Sequence, residues 1–160
     1  MAEKVKAIPE GLHTVTPAMI VRDAPKALEF YKNAFGATIM GVAKGPDGKV
    51  MHAEFRIGDS AIMLADEFPE YGSHSPQSTG GGISMSIYLY VDDADATFQQ
   101  AVNAGAKPAM PMSDMFWGDR FGQVMDPFGH RWSIATRVRN LTPEEIAKAQ
   151  QEFFAKQPKS

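Results

Sequence analysis

Residues 21–36 read VRDAPKALEFYKNAFG, and residues 91–105 read VDDADATFQQAVNAG. Each stretch leaves a β-strand, meets an aspartate, turns into a helix and stops at a glycine. In the first, Asp23 can cap the helix, and Pro25 sits in the first turn, where a missing N–H costs nothing. Ala27, Leu28, Tyr31, Ala34 and Phe35 then recur at helical spacing until Gly36 ends the run. In the second, Asp92-Asp93 is the cap, Phe98, Ala101 and Val102 form the apolar stripe, and Gly105 closes it. Val21 matches Val91 and Asp23 matches Asp93, both 70 positions on, and further along the chain Leu64 matches Ile134 at the same step. A fixed period of this size marks a duplicated supersecondary unit.

Working outward, residues 12–21 (LHTVTPAMIV) read as the first strand, with Val15, Met19 and Val21 on one face and Thr16, Ala18 and Ile20 on the other. After the first helix come strands over about 37–43, 49–57 and 60–66, broken by GPDG at 45–48 and by Gly58-Asp59. The second module repeats the plan: a strand over 83–91, the helix, then strands over about 107–112, 121–125 and 130–137. Between the modules, PEYGSHSPQSTGGG (69–82) is polar and glycine-rich, the composition of a linker or a lid. Thr142-Pro143-Glu144-Glu145 is a capping box that starts a tail helix to about residue 156, apolar at Ile146, Ala149 and Phe153. The fold class predicted is α+β: one domain over 1–160, built of two tandem βαβββ modules (about 12–68 and 83–137) plus a C-terminal helix. Each module buries one sheet face under its helix, so the pair is expected to form a curved mixed sheet whose open concave face is the place for a ligand.

Bulk properties narrow the function. The chain has 160 residues, 44% hydrophobic and 22% charged, with a net charge of −3. An ordinary globular balance without a basic field argues against nucleic acid as a partner. With no cysteine, disulfides, thiolate metal sites and cysteine nucleophiles all drop out. The N-terminal MAEKVKAIPEG lacks an apolar core, and no apolar run nears the roughly 18 residues of a membrane span, so a cytoplasmic location without membrane contact is expected. No G-x-S-x-G, P-loop or dinucleotide fingerprint occurs.

The order D-x-x-x-A-x-x-F-Y-x-x-x-F-G at Asp23–Gly36, followed by W-G-D-R-F-G-x-V-x-D-P-F-G-H-x-W at Trp117–Trp132, resembles the PhnB-like branch of the vicinal-oxygen-chelate superfamily. That superfamily holds glyoxalase I, bleomycin-resistance proteins, fosfomycin-resistance enzymes and extradiol dioxygenases. The resemblance spans about residues 12–137 and implies paired βαβββ modules, a homodimer and a cavity on the concave face. It also implies metal ligands on the first and last strand of each module. Those positions here are Thr16, Met63, Ser86 and Ser133, which supply no ionised ligand for a divalent ion at neutral pH. The expectation is a lost metal site and no cofactor.

Other candidates follow from strand periodicity. His52 and Glu54 alternate with the apolar Ala53, Phe55 and Ile57, so they share a face with Arg56, away from the helix. They could form an acid/base pair or half a metal site, or else a solvated strand face with Arg56 neutralising Glu54. His13 has no evident partner, His74 lies in the linker as a solvent residue, and His130, after a turn glycine, reads as a surface or hydrogen-bonding residue. Trp117 and Arg120 are candidates for ligand contact at the cavity mouth, since an indole and a guanidinium can stack or hold anions. Asp119 and Arg120 could equally satisfy the backbone of a loop. Ser86, Tyr88 and Tyr90 line one strand face and Ser133 with Ala135 another, which, with Met63, makes an apolar wall edged by hydroxyls; Tyr88 and Tyr90 could instead fill a dimer interface. The predicted ligand-binding set is Thr16, Met63, Ser86, Tyr88, Trp117, Arg120 and Ser133. The predicted function is metal-free binding or sequestration of an aromatic or apolar small molecule. The alternative is a glyoxalase- or isomerase-like enzyme using His52, Glu54 or an unplaced residue.

Overall fold

The computed structural model describes residues 5–157. Two four-stranded mixed sheets carry the fold. The first contains β1 (Ala18–Val21), β2 (Thr38–Lys44), β3 (Val50–Ile57) and β4 (Ser60–Asp66) in the order β1-β4-β3-β2. The second contains β5 (Ser86–Tyr90), β6 (Lys107–Asp114), β7 (Asp119–Met125) and β8 (Arg131–Arg137) in the order β5-β8-β7-β6. Helices α1 (Ala24–Phe35) and α2 (Ala94–Ala104) follow β1 and β5, and α3 (Pro143–Ala155) ends the chain. The chain divides into two compact units, one running to Ile83 and including Pro127–Gly129, the other holding the remainder.

The duplication holds to the residue. In each unit the outer strand runs parallel to the last strand: Ala18 lies opposite Met63, and 70 positions on Tyr88 lies opposite Ser133. Met19–Leu64 and Leu89–Ile134 repeat the match. Even the helix anchor is duplicated. Asp66 Oδ1 accepts from the Ala24 amide at 2.8 Å, and Thr136 Oγ1 accepts from the Ala94 amide at 2.8 Å. One module uses a carboxylate and the other a hydroxyl to satisfy the same exposed donor of a helix start. Asp23 and Asp93 cap these helices by accepting from the amides three residues on, as the spacing predicts.

Burial follows the same alternation. In the first unit Met19, Val21, Phe55 and Leu64 are buried beneath α1, and Tyr31 stacks on Phe55 with centroids 5.1 Å apart. Phe128 packs its ring against Phe30 and Tyr31 in this unit. In the second, Val124, Trp132 and Ile134 are buried on the face that α2 covers. Each such side chain contributes about 1.5–3 kcal/mol through burial, which is why period-two patterning decides the face. β6 is an edge strand, and Pro108 and Pro111 within it cannot donate to a further strand.

Two segments differ from expectation. The first strand is Ala18–Val21 rather than 12–21, because the preceding residues turn on themselves, with Thr16 Oγ1 donating to the His13 carbonyl. The polar stretch 69–82 is no loose linker. It begins with a short 3₁₀ turn, Pro69–Tyr71, and then folds onto Glu67. The Glu67 carboxylate accepts from the Ser75 amide at 3.0 Å and from the Ser78 hydroxyl, and it pairs with Arg22 at 3.0 Å. Ser75 and Pro76 are buried as a result. A carboxylate one residue past β4 supplies the packing that the segment's own composition lacks.

Candidate functional site

The face of the second sheet opposite α2 is built by register. Tyr88 on β5 lies beside Ser133 on β8, which lies beside Gln123 on β7. One row along stand Tyr90, Ala135 and Phe121, and beyond them Arg137 faces Asp119. The central strand therefore presents small side chains between two rows of large ones. Both tyrosines lean diagonally across it. The Tyr88 ring stacks on Phe121 at 5.5 Å, and the Tyr90 phenol donates to Asp119 Oδ2 at 2.9 Å. The two tyrosine rings lie 5.1 Å apart.

Trp117 completes this wall from the turn between β6 and β7. Its indole N–H donates to the same Asp119 Oδ2 at 3.1 Å, and its ring meets Phe121 edge-on at 5.8 Å. The turn is possible because Gly118 has φ of +101°, a conformation side chains resist, and sits against the Arg139 carbonyl. Asp119 itself is 0% exposed. Its second oxygen accepts no hydrogen bond, and the nearest cation is Arg137 Nε at 3.6 Å. Despite these contacts Tyr88 and Tyr90 remain 42% and 60% exposed. Burial of the phenol pushes the Tyr88 pKa up, with the neighbouring Tyr90 and the Asp119 carboxylate adding to it. Tyr88 is thus a neutral phenol at any physiological pH.

The other predicted residues are placed as follows. Ser133 lies on this face but is buried beneath the tyrosines, its hydroxyl accepting from Gln123 Nε2 at 3.0 Å. Ser86 opens β5 and is exposed. Arg120 points the other way: it makes a bidentate pair with Asp95 on α2, at 2.8 and 2.9 Å, and reaches Asp114 at 3.5 Å. That pairing holds Asp95 below the usual carboxylate range. Strand alternation accounts for it, since 119, 121 and 123 share one face and 120 takes the opposite one. In the first unit, Met63 and Glu54 are cross-strand neighbours on the face away from α1, and His52 is exposed beside them on β3. The predicted Arg56–Glu54 pairing does not form; Arg56 donates instead to the Gly11 carbonyl at 3.1 Å. His13 and His74 are exposed, and the His130 amide donates to Asp126.

Two residues of this wall stand outside the predicted ligand-binding set: Asp119, which the sequence offers only as a loop residue, and Phe121. Both lay inside the quoted W-G-D-R-F-G motif, and period-two alternation from Tyr88 and Tyr90 could have placed them on the same wall. The donor set at Thr16, Met63, Ser86 and Ser133 does not fit a divalent ion. Three are neutral hydroxyls, one is a thioether, and the Thr16 and Ser133 hydroxyls are already engaged. Among the described residues no three histidine, aspartate or glutamate side chains stand together as a metal cluster, and no helix is long and apolar enough to cross a membrane.

Comparison with known proteins gives a consistent family. The model of the Glyoxalase/Bleomycin resistance protein/Dioxygenase superfamily matches residues 11–134. An uncharacterised protein of Mycobacterium bovis is 43% identical over 137 residues, 84% of this chain and 90% of its own. Among solved structures, a protein from Pseudomonas aeruginosa has a TM-score of 0.64 and 26% identity, covering 79% of this chain and 99% of that one. A PhnB protein from Bacillus cereus has the same fold at 19% identity, with a TM-score of 0.60 over 79% of this chain and 100% of that one.

Proposed function

Since this chain belongs to the glyoxalase/bleomycin resistance protein/dioxygenase superfamily, we propose that it captures a small aromatic or apolar molecule, without metal, on the open face of its second sheet. One observation carries this. Tyr88 and Tyr90 stay substantially exposed while being held in place, Tyr90 by a fully buried carboxylate that also fixes Trp117. Exposed aromatic side chains usually cost solvation without return, whereas fixed ones form a preorganised wall whose ordering entropy is already spent. Aromatic stacking gives such a wall its affinity, and the Tyr88 phenol offers a polar group to orient the guest. Ser133, Thr16 and Arg120 are each engaged elsewhere, so Tyr88, Tyr90, Trp117 and Phe121 form the working set.

An enzyme using Glu54 is the alternative, favoured by the absence of an Arg56 partner and by its half-buried position beside Met63. The discriminating experiment is a thermal-shift screen followed by fluorescence titration. Trp132 is buried with its indole on Asp126, so Trp117 is the tryptophan able to report a guest. Micromolar binding, a Kd near 1 μM or about −8 kcal/mol, is expected for planar aromatic molecules. Trp117→Phe should silence the signal and Tyr88→Ala should weaken binding. Affinity unchanged in both variants would place the ligand elsewhere, and turnover lost in Glu54→Gln would favour the enzyme.

A further inference from the structure

We infer that this aromatic face selects organic cations, an aryl-alkyl ammonium above all, over neutral and anionic molecules of the same shape, with Asp119 as the source of selectivity and Arg137 as its internal competitor. The inference rests on that face being the ligand site and names the chemical class of its guest.

Three features carry it. First, two of the wall's donors are already used: the Tyr90 O–H and the Trp117 N–H both point back at Asp119 Oδ2. What they turn outward is ring surface, whose faces are negative and attract cations. Second, a carboxylate stands at the polar edges of those rings, fully buried and shielded from the water that would screen it. Its charge already reaches the neighbouring Tyr88 phenol. Third, Asp119 Oδ1 is a buried acceptor without a hydrogen bond. Arg137 Nε stands 3.6 Å from it, beyond hydrogen-bond length, on a side chain that is 60% exposed. The protein's own cation therefore sits loosely over the charge that a ligand cation would use. An ammonium group laid against Tyr90 can displace that guanidinium into solvent and supply the missing N–H donor. An anion would meet the carboxylate and the ring faces, with Arg137, whose charge Asp119 already offsets, as the cation beside them, since Arg120 is turned away and bound to Asp95 and Asp114.

The test uses three probes of matched shape, measured by isothermal titration on the full-length protein: 1-naphthylmethylammonium, 1-naphthalenemethanol and 1-naphthoate. The ammonium should bind at least tenfold tighter than the alcohol, and the carboxylate weakest. Asp119→Asn keeps an acceptor for Tyr90 and Trp117 but removes the charge, and should bring ammonium and alcohol to within about twofold. Arg137→Gln removes the competitor and should tighten the ammonium several-fold while leaving the alcohol unchanged. If Asp119→Asn fails to fold, the Arg137→Gln ratio still decides. Equal binding of ammonium and alcohol to the native protein, or an Arg137→Gln ratio that does not rise, overturns cation selectivity while leaving the aromatic site standing. If none of the three probes binds, the site itself is wrong.

Discussion

The phenol of Tyr90 reaches across the small side chain of Ala135 to the carboxylate of Asp119, two strands away, at 2.9 Å. That span is possible because β8 carries serine and alanine where its neighbours carry tyrosine, glutamine and phenylalanine. The carboxylate is the hub of the face: Asp119→Ala would leave the indole N–H of Trp117 unpaired and let Tyr90 swing free. Leaving a buried polar group unsatisfied costs about 1–3 kcal/mol, so a loss of about 2–4 kcal/mol is expected. Asp119→Asn, which keeps an acceptor, should lose less than half as much. Urea unfolding followed by circular dichroism measures both, and equal losses would show that the hydrogen bonds are not what holds the wall.

Gly118 gives a second check. A Cβ there would lie 2.7 Å from the Arg139 carbonyl oxygen, a backbone atom, and φ of +101° is strained for any side chain. Gly118→Ala should therefore destabilise by about 2 kcal/mol or more and dislodge Trp117 from Asp119. A red shift of tryptophan emission should accompany it, because Trp132 is buried elsewhere. Unchanged emission in the variant would mean that Trp117 keeps its place without this turn.

How much of this is legible in the sequence depends on range. The duplication, the helix caps and the strand faces are local or periodic, and Asp23, Asp93 and the 70-residue register stand as the spacing requires. As sequence, W-G-D-R reads as a loop at the cavity mouth, whereas β7 starts at Asp119 and alternation sends Arg120 toward α2. Glu67 was invisible for the opposite reason. Its partner Arg22 is brought to it by the parallel pairing of β1 with β4, and Ser75 and Ser78 by the fold-back of 69–82, and no spacing in the chain announces either.

Glu67 titrates well below its ordinary value of 4.5, at about 2, chiefly because the Ser78 hydroxyl and the Ser75 amide donate to its charged form. A carboxyl depressed in the folded state stabilises fully above its unfolded pKa and loses that contribution as pH falls from about 4.5 toward 2. Stability should therefore decline across that window in the native protein and decline less in Glu67→Gln. At neutral pH the same variant should speed hydrogen exchange at Ser75 and Ser78. Identical acid profiles and unchanged exchange would count against Glu67 as the anchor of this segment.

The donor chemistry at Thr16, Met63, Ser86 and Ser133 predicts less than about 0.1 equivalent of zinc, nickel, iron or manganese per chain after purification. It further predicts no chelator-sensitive turnover of the glutathione hemithioacetal of methylglyoxal. Neutral hydroxyls and a thioether do not offset the hydration a divalent ion gives up. Elemental analysis settles the first point, and one metal per chain lost together with activity on chelation would reverse the conclusion.

The tail helix raises the question of assembly. Thr142 and Glu145 close a reciprocal capping box, yet α3 has no buried residue along its 13 positions. Phe153 touches Phe116 at 5.4 Å and remains 41% exposed, and Phe154 is 58% exposed. An isolated helix of this length is marginal in water, since nucleation is costly and propagation returns little per residue. Its apolar edge, Ile146, Ala149 and Phe153, therefore needs a cover, and a second copy of the chain is the occupant we propose. Light scattering should give twice the 17.5 kDa chain mass. The double variant Phe153→Ser, Phe154→Ser should shift that mass toward the monomer and leave 143–155 exchanging rapidly. A native monomer whose tail amides are already unprotected would contradict the proposal. A native monomer with a protected tail would mean instead that the helix is held by its own chain, through Phe116.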